Sequence, residues 1–468
     1  MSATPATTQP TSTDPATAAP LVEPIVRPGS KGHTDGAWAD RPVPVQTRSG
    51  RFASTDPAAF PAVTGREVDW KLSPVERLRP LIDGALDGSP YAYLARDTPG
   101  ASVEWVAPDH ALVGTAGTPE DKASANAWAS VDNVLLVTLS GDDASSITLG
   151  RSGFDASPRA AHTVVHATPN SRGMVILQNS GSANLVENVE IVVDEGAQLT
   201  VVSVQEWDDD AIHLATHFAK IGRDAQLKHF VVSLGGSVVR INPSAHLAGQ
   251  GADADLNGVY FADAGQHLEQ QVYVNHDAPA TKSRVNYKGA LQGEGARTVW
   301  IGDVLIGRTA PGTDSYEQNR NLVLSEGTRA DSIPNLEIET GDIQGAGHAS
   351  ATGRFDDEHL FYLESRGIPE EEARRIVVLG FLSEIVQRIG EPGLQERLQA
   401  SLEKELAEGA RARAEADSAA GSAASRRSPY VDSQPGASVA TGTEHVTTEP
   451  DVAQGVTAIG THPGGNAR

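Results

Sequence analysis

The spacing of apolar residues changes several times along the chain, and each change marks a different kind of structure. Residues 1–60 are rich in Ala, Thr, Pro, Ser and Asp and carry few large apolar side chains. Such a stretch cannot offset chain entropy by burial, so it is read as a disordered tail. Residues 61–129 read as a helical or mixed region. Ser73-Pro74 starts a helix with a capping serine and a proline at the first position. Leu78, Ile82 and Leu86 share one helical face, and Pro80 and Gly84 inside that stripe predict a kink or two short helices.

From 130 to 354 the helical period disappears. Short runs rich in Val, Ile and Leu recur between Gly, Asn and Asp: Val134–Leu139, Met174–Leu177, Val189–Val193, Leu199–Val204, Phe230–Leu234, Val299–Val304 and Leu322–Leu324. None is long enough for a helix, and turn residues are dense, so these are strands. A motif also repeats. Glu195-Gly196-Ala197-Gln198-Leu199 is echoed by Arg223-Asp224-Ala225-Gln226-Leu227 and by Ala252-Asp253-Ala254-Asp255-Leu256. A small residue and a leucine placed before each strand, with no helix between, predict a solenoid of β coils. A parallel β-helix fits this pattern best, and a β-sandwich is the alternative.

The helical period returns at 355–409. Asp356 can cap a short helix through Glu364, and Gly367 is placed to end it. Pro369 opens a second helix with Glu370, Glu371 and Glu372 in its first turn, where the helix dipole favours acids. Ala373, Ile376, Val377, Phe381, Leu382, Ile385 and Val386 follow at helical spacing, and Gly390 and Pro392 stop the run. Leu394, Leu398, Leu402 and Leu406 form a further stripe that is expected to end near Gly409. Residues 410–468 resemble the first 60 and are read as a second disordered tail.

The 468 residues hold 37 basic and 61 acidic groups, a net charge of −24. The two tails are nearly balanced, so the acidity belongs to residues 61–408. This balance argues against nucleic acid or an anionic membrane as a partner, since both require clustered Lys and Arg. The chain has no cysteine, which excludes disulfides, a catalytic thiol and an iron–sulfur cluster held by its own thiolates. No apolar run approaches the ~20 residues of a membrane span, and the start lacks the basic and apolar regions of a signal peptide. The expected compartment is the cytoplasm.

Few groups carry a chemical signature. Gly302 to Thr309 nearly matches a phosphate-binding loop, but Arg308 replaces the lysine and Ala310-Pro311-Gly312 cannot begin the required helix. A strand and a turn are expected instead. His162/His166 and His213/His217 have a spacing of four. On a strand, however, His162 and His166 would lie about 13 Å apart, so surface or hydrogen-bonded histidines are expected rather than a metal site. His276-Asp277 with Lys282 and Arg284 reads as a polar turn between coils. His348 stands out because only small residues flank it, from Gly345 to Thr352, so a ligand or another chain can approach its imidazole. A neutral imidazole suits borderline iron.

The densest segment runs from Tyr316 to Ser325, then through Ser332-Ile333-Pro334-Asn335-Leu336-Glu337-Ile338. It continues with Gly345 to Gly353 and Leu360-Phe361-Tyr362-Leu363-Glu364-Ser365-Arg366-Gly367-Ile368. This run resembles the SufB/SufD family of iron–sulfur cluster assembly proteins, over about 61–408 and most strongly over 315–389. The resemblance leans to the SufD side. SufB-type members carry a cysteine in an Asn-x-Thr-Gln-Cys-Asp-Ser stretch, where this chain has Asn319, and usually other cysteines besides.

The resemblance implies a non-catalytic scaffold with a central right-handed β-helix between helical ends. It implies pairing with SufB through that core and docking of the SufC ATPase on the C-terminal helices, with Ile376, Phe381, Leu382 and Ile385 as docking residues. A cysteine desulfurase would act through SufB. No cofactor would be held stably; a transient iron–sulfur cluster would be shared with SufB, with His348 at the position of the SufD histidine that contributes iron or cluster ligation. Many relatives have a cysteine two residues earlier, where this chain has Ala346, so no thiolate is expected from this subunit. Two other readings remain: a cysteine-less SufB-like subunit, and a polysaccharide-acting β-helix enzyme using acids such as Asp208, Asp209 and Asp210.

Overall fold

Strand follows strand at nearly constant spacing, and alternate strands pair in parallel. In a computed structural model, which describes residues 52–96, 98–354 and 357–425, this builds a β-solenoid. The even strands are β2 (Val134–Leu139), β4 (Pro158–Ala167), β6 (Asn184–Val193), β8 (Ile212–Ile221), β10 (Val238–Leu247), β12 (His267–His276), β14 (Arg297–Ile306) and β16 (Arg329–Ile338). The odd strands are β3 (Ser145–Arg151), β5 (Arg172–Gly181), β7 (Gln198–Trp207), β9 (Gln226–Ser233), β11 (Asp253–Ala262), β13 (Lys282–Leu291), β15 (Thr313–Val323) and β17 (Ile343–Arg354). Each coil gives one strand to each of two sheets, so the eight-stranded sheet counts eight coils. The strand β1 (Ala101–Val106) adds to β2 in antiparallel fashion and makes the other sheet nine-stranded.

The repeated motif supplies the corners. Asn170, Gly196, Asp224, Gly251 and Ala280 all take positive φ at equivalent places in successive coils. Their amides form a ladder: Asn170 N–H donates to the Glu195 carbonyl, Gly196 to Arg223, Asp224 to Gln250, Gly251 to Pro279 and Ala280 to Pro311. Asn and Asp accept this left-handed geometry because their short side chains bond locally. The alanine that follows at Ala197, Ala225 and Ala252 is fully buried, and Leu199, Leu227 and Leu256 turn inward after it.

Alternation along each strand divides the apolar residues among three cores. Leu185, Val189, Ile191 and Val193 of β6 point into the interior with Leu135, Val165, Val201, Tyr260 and Trp300. Val186 of the same strand points out, against α1 (Val75–Ile82) and α2 (Lys122–Ser130). On the far side, Val202, Phe230, Val232 and Phe261 of the eight-stranded sheet face outward. There they meet α4 (Glu370–Val386), the 3-10 turn Gln387–Ile389 and the first turns of α5 (Pro392–Ser425). The short α3 (Asp357–Glu364) contributes Leu360 to this layer. The chain divides at Arg411 into two units, and the second contributes here only the continuation of α5. Among the described residues no helix is long and apolar enough to cross a membrane.

Several expectations change. The predicted kink at 78–86 is instead one eight-residue helix that contains Pro80 and stops at Ile82. Ser73 is not its cap: its hydroxyl donates to the oxygens of the buried Glu269, at 2.9 and 2.8 Å, a charge-assisted bond stronger than the one it would accept from a helix amide. Residues 52–60, expected to be disordered, hold a 3-10 turn whose Ala58 amide donates to Asp56. The rest of the 1–60 tail, 426–468 and the capping Asp356 lie outside the described residues. The last helix does not end near Gly409 but runs on to Ser425. Each of its interior glycines, Gly409 and Gly421, costs roughly 1 kcal/mol, and the alanine-rich sequence around them tolerates that.

Candidate functional site

The two ends of the solenoid differ. At the N-terminal end, β1 pairs antiparallel beside β2 as the last strand of its sheet, and Tyr91, Phe154 and Trp105 plug the interior, with the Tyr91 ring centroid 5.1 Å from that of Trp105 and 5.2 Å from that of Phe154. The backbone of Leu94 also covers β3 through a bridge to Gly150. At the C-terminal end, β16 and β17 are the last strands of their sheets, and among the described residues nothing pairs with their outer edges. From Ala349 to Arg354 every residue of β17 is exposed.

The interior also changes character there. In β15, Thr313, Ser315, Glu317, Asn319 and Asn321 point inward and are buried, while Tyr316 and Arg320 point out. The β17 residues in register with them are Ala346 beside Ser315, His348 beside Glu317, Ser350 beside Asn319 and Thr352 beside Asn321. Parallel register puts paired side chains on the same face, so His348 belongs to an inward row of the last, uncovered coil.

Hydrogen bonds knit most of this row together. The Tyr260 hydroxyl donates to Asn321 Oδ1 at 2.6 Å and accepts from Asn319 Nδ2 at 2.8 Å. Asn319 Oδ1 accepts from Asn321 Nδ2 and from the Ser332 hydroxyl, both at 2.8 Å. Ser350 donates to Ser332 at 2.8 Å. Asn319 is therefore the hub of a polar network.

Glu317 is outside that network. Its side chain is 1% exposed, and neither carboxylate oxygen has a hydrogen-bond partner. The Asn335 backbone faces it without reaching hydrogen-bond geometry. Burial, reinforced by the nearby charge of Asp303, pushes its pKa up to about 8. The nearest opposite group is His348, whose Nδ1 lies 3.8 Å from Glu317 Oε1 and whose side chain is 45% exposed. Gly302 makes the room: a Cβ there would stand 2.4 Å from Glu317 Oε2 and 2.4 Å from Trp300.

The other predicted residues fall elsewhere. Leu382 and Ile385 are buried in the layer between the helices and the eight-stranded sheet, and Phe381 is half-buried at its margin. Those side chains are occupied within the chain, because the outward faces of β9 and β11 are themselves apolar. Ile376 is exposed, as are Phe361 and Tyr362 on α3. Lys288 anchors α4 to the sheet through Glu384 at 2.5 Å and the Phe381 carbonyl at 3.2 Å.

The histidine pairs do not converge on one point. His162 bonds Glu190 on the outer side, His166 bonds Asp194, His213 bonds Glu187 and Gln205 inside, and His217 bonds His229. Gly302 to Thr309 is the end of β14 and a turn, with no helix following. His276 is buried against Thr281 and Ser283. Among the described residues no three His, Asp or Glu side chains gather as a metal site. Sequence reading passed over Glu317, Ser332, Ser350 and Tyr260. The period-two rows Ser315-x-Glu317-x-Asn319-x-Asn321 and Ala346-x-His348-x-Ser350-x-Thr352 were the signal that could have found Glu317 and Ser350.

Comparison with known proteins places these features in context. The family described as "SUF system FeS cluster assembly, SufBD core domain" matches residues 151–381. An iron–sulfur cluster assembly SufBD family protein of Mycobacterium tuberculosis is 47% identical over 366 residues, covering 76% of this chain and 92% of that one. The Mycobacterium leprae counterpart is 46% identical over 366 residues, covering 76% and 93%. Escherichia coli iron–sulfur cluster assembly protein SufD is 29% identical over 202 residues, or 42% of this chain and 47% of that one.

Proposed function

This chain belongs to the SufBD family of iron–sulfur cluster assembly proteins, and we propose that it is the SufD-type subunit of a cytoplasmic SUF scaffold. It pairs with a SufB-type partner through the open end of its solenoid and catalyses nothing itself. A nascent cluster forms at that junction, is shared with the partner and is not retained.

The observation that carries this reading is the asymmetry of the two ends. One end is plugged by aromatic rings and finished by a strand that pairs antiparallel; the other ends in two strands whose outer edges continue the parallel register, around a polar row that contains His348. Free edges favour pairing with another chain. A chain with no cysteine needs its thiolate ligands from that partner. It also lacks a competent phosphate loop, so ATP hydrolysis belongs to a SufC-type ATPase. Docking of the ATPase falls on the C-terminal helices, where Ile376, Phe361 and Tyr362 are the large apolar side chains left exposed. Sulfur would arrive from a cysteine desulfurase by way of the SufB-type partner.

Co-expression with SufB-type and SufC-type chains tests this. The expected result is a stable three-component complex, and His348→Ala in that complex should lower the rate of cluster formation without dissolving it. Purification of the chain alone under the same conditions would overturn the pairing. A chain that assembled only with a SufD-type partner would support the cysteine-less SufB-like alternative.

A further inference from the structure

A buried carboxylate without a hydrogen-bond donor is costly, because nothing replaces the water it has lost. Other buried acids of this chain avoid the cost. Glu187 is clasped by Arg151, Glu269 by Arg240, His267, Gln271 and Ser73, and Glu190 by His162 and the amides of Gly114 and Ala116. Among the buried acids of the described residues, Glu317 is the exception. It is 1% exposed, both oxygens are unpaired, and the space it fills exists because position 302 has no side chain.

Its one cationic neighbour by type is His348. At 3.8 Å, Nδ1 to Oε1, the two groups are too far apart for a hydrogen bond. Two donors on one transition-metal ion, with bonds of about 2.1 Å, stand roughly 3.0–3.5 Å apart. A side-chain rotation of a few tenths of an ångström closes that difference on the exposed, uncovered β17. The paired register of Glu317 and His348 keeps both groups on the same inward face while it happens.

We propose that the Glu317 carboxylate and the His348 imidazole together form a two-donor site for ferrous iron at the open end of the solenoid. This deepens the scaffold reading, on which it rests for the identity of the metal. The mixed oxygen and nitrogen set suits Fe(II) better than Mg(II), which prefers oxygen alone. Two donors are an incomplete shell, and the remaining positions face the unpaired edges, where sulfide, water or a partner's side chain can enter. The pair is thus a place to hold iron before sulfur arrives, and the carboxylate is the ligand with which this cysteine-free subunit contributes negative charge.

The test is anaerobic equilibrium dialysis of the full-length chain against Fe(II), with Mg(II) as control, together with thermal unfolding with and without Fe(II). The wild-type chain should bind one Fe(II), and Fe(II) should raise its Tm. Glu317→Gln keeps the shape and removes the charge; it should weaken Fe(II) binding more than about tenfold. His348→Gln should do the same, and the double variant should be little worse than either single one. The Glu317→Gln chain without metal should be at least as stable as wild type, which separates ligand loss from misfolding. Wild-type affinity in Glu317→Gln would overturn the proposal, as would an absence of any Fe(II)-dependent change in the wild-type chain. Neither result bears on association with SufB-type and SufC-type chains, which is read by co-purification.

Discussion

Arg151 and Glu187 face each other inside the solenoid as a two-armed ion pair, with nitrogen–oxygen distances of 2.5 and 2.8 Å and neither side chain exposed. Burial alone would raise the Glu187 pKa, but the Arg151 charge and hydrogen bonds outweigh it and hold the group below the usual carboxylate range. Asn179 accepts from Arg151 Nε at 2.8 Å, and His213 Nε2 lies 2.9 Å from Glu187 Oε1, the oxygen that also accepts from Arg151 Nη2. Removing one partner strands a charge in the interior. Glu187→Gln should therefore cost about 3–5 kcal/mol, while replacing Arg151 and Glu187 together by apolar residues of similar volume should cost much less. Denaturant midpoints of the single and double variants measure the difference.

Acid should unfold the chain earlier than its carboxylates alone would predict. Burial pushes His229 and His276 down to about 4. Their folded-state pKa lies below the unfolded value of about 6.5, so the unfolded chain binds more protons between the two. The stabilisation is complete above pH ~6.5 and is lost as pH falls towards 4, on the order of 3 kcal/mol for each group. His276→Gln should flatten the fall in stability over that window, as followed by thermal unfolding at a series of pH values.

Ile376 and Leu382 sit on one helix and should behave oppositely. Leu382 is wholly buried against the sheet, and Ile376 is 42% exposed. Leu382→Glu should destabilise the chain by several kcal/mol, because it places an unpaired charge in the layer. Ile376→Glu should leave stability within about 0.5 kcal/mol and reduce co-purification of the SufC-type ATPase. Unchanged ATPase recovery with Ile376→Glu would remove that residue from the docking surface.

Interior glycines are fitted to aromatic rings in neighbouring strands. A Cβ on Gly289 would stand 1.8 Å from Tyr260, and one on Gly258 would stand 2.1 Å from Tyr287. Gly289→Ala should therefore cost roughly 1–3 kcal/mol through overpacking. It should also displace the Tyr260 hydroxyl from Asn319 and Asn321, a change visible in the ring's near-ultraviolet circular dichroism.

The sequence made legible those strands whose inward residues are apolar. Val134–Leu139, Val189–Val193 and Leu199–Val204 all lie within β2, β6 and β7 as read. Strands whose inward rows are polar, such as β15 and the middle of β17, gave no hydrophobic alternation, and register shows that those polar rows face inward. The helical stripes were correctly placed at 370–386 and 394–406, but a stripe does not name what covers it. Leu382 and Ile385 proved to be covered by this chain's own Phe230 and Phe261 layer. His348 was conspicuous through its small neighbours. Glu317 was less so: its place in a period-two polar row hints that it faces inward, but only its burial and missing partners mark it out.

The difference between the two ends has a consequence for stoichiometry. A solenoid open at both ends can add neighbours without limit, end on end, and becomes a fibre. Here aromatic rings fill the interior at one terminus and its last strand runs antiparallel, so the parallel register that would continue the coils is offered only at the other. On the scaffold reading proposed above, assembly through that edge gives a pair rather than a fibre.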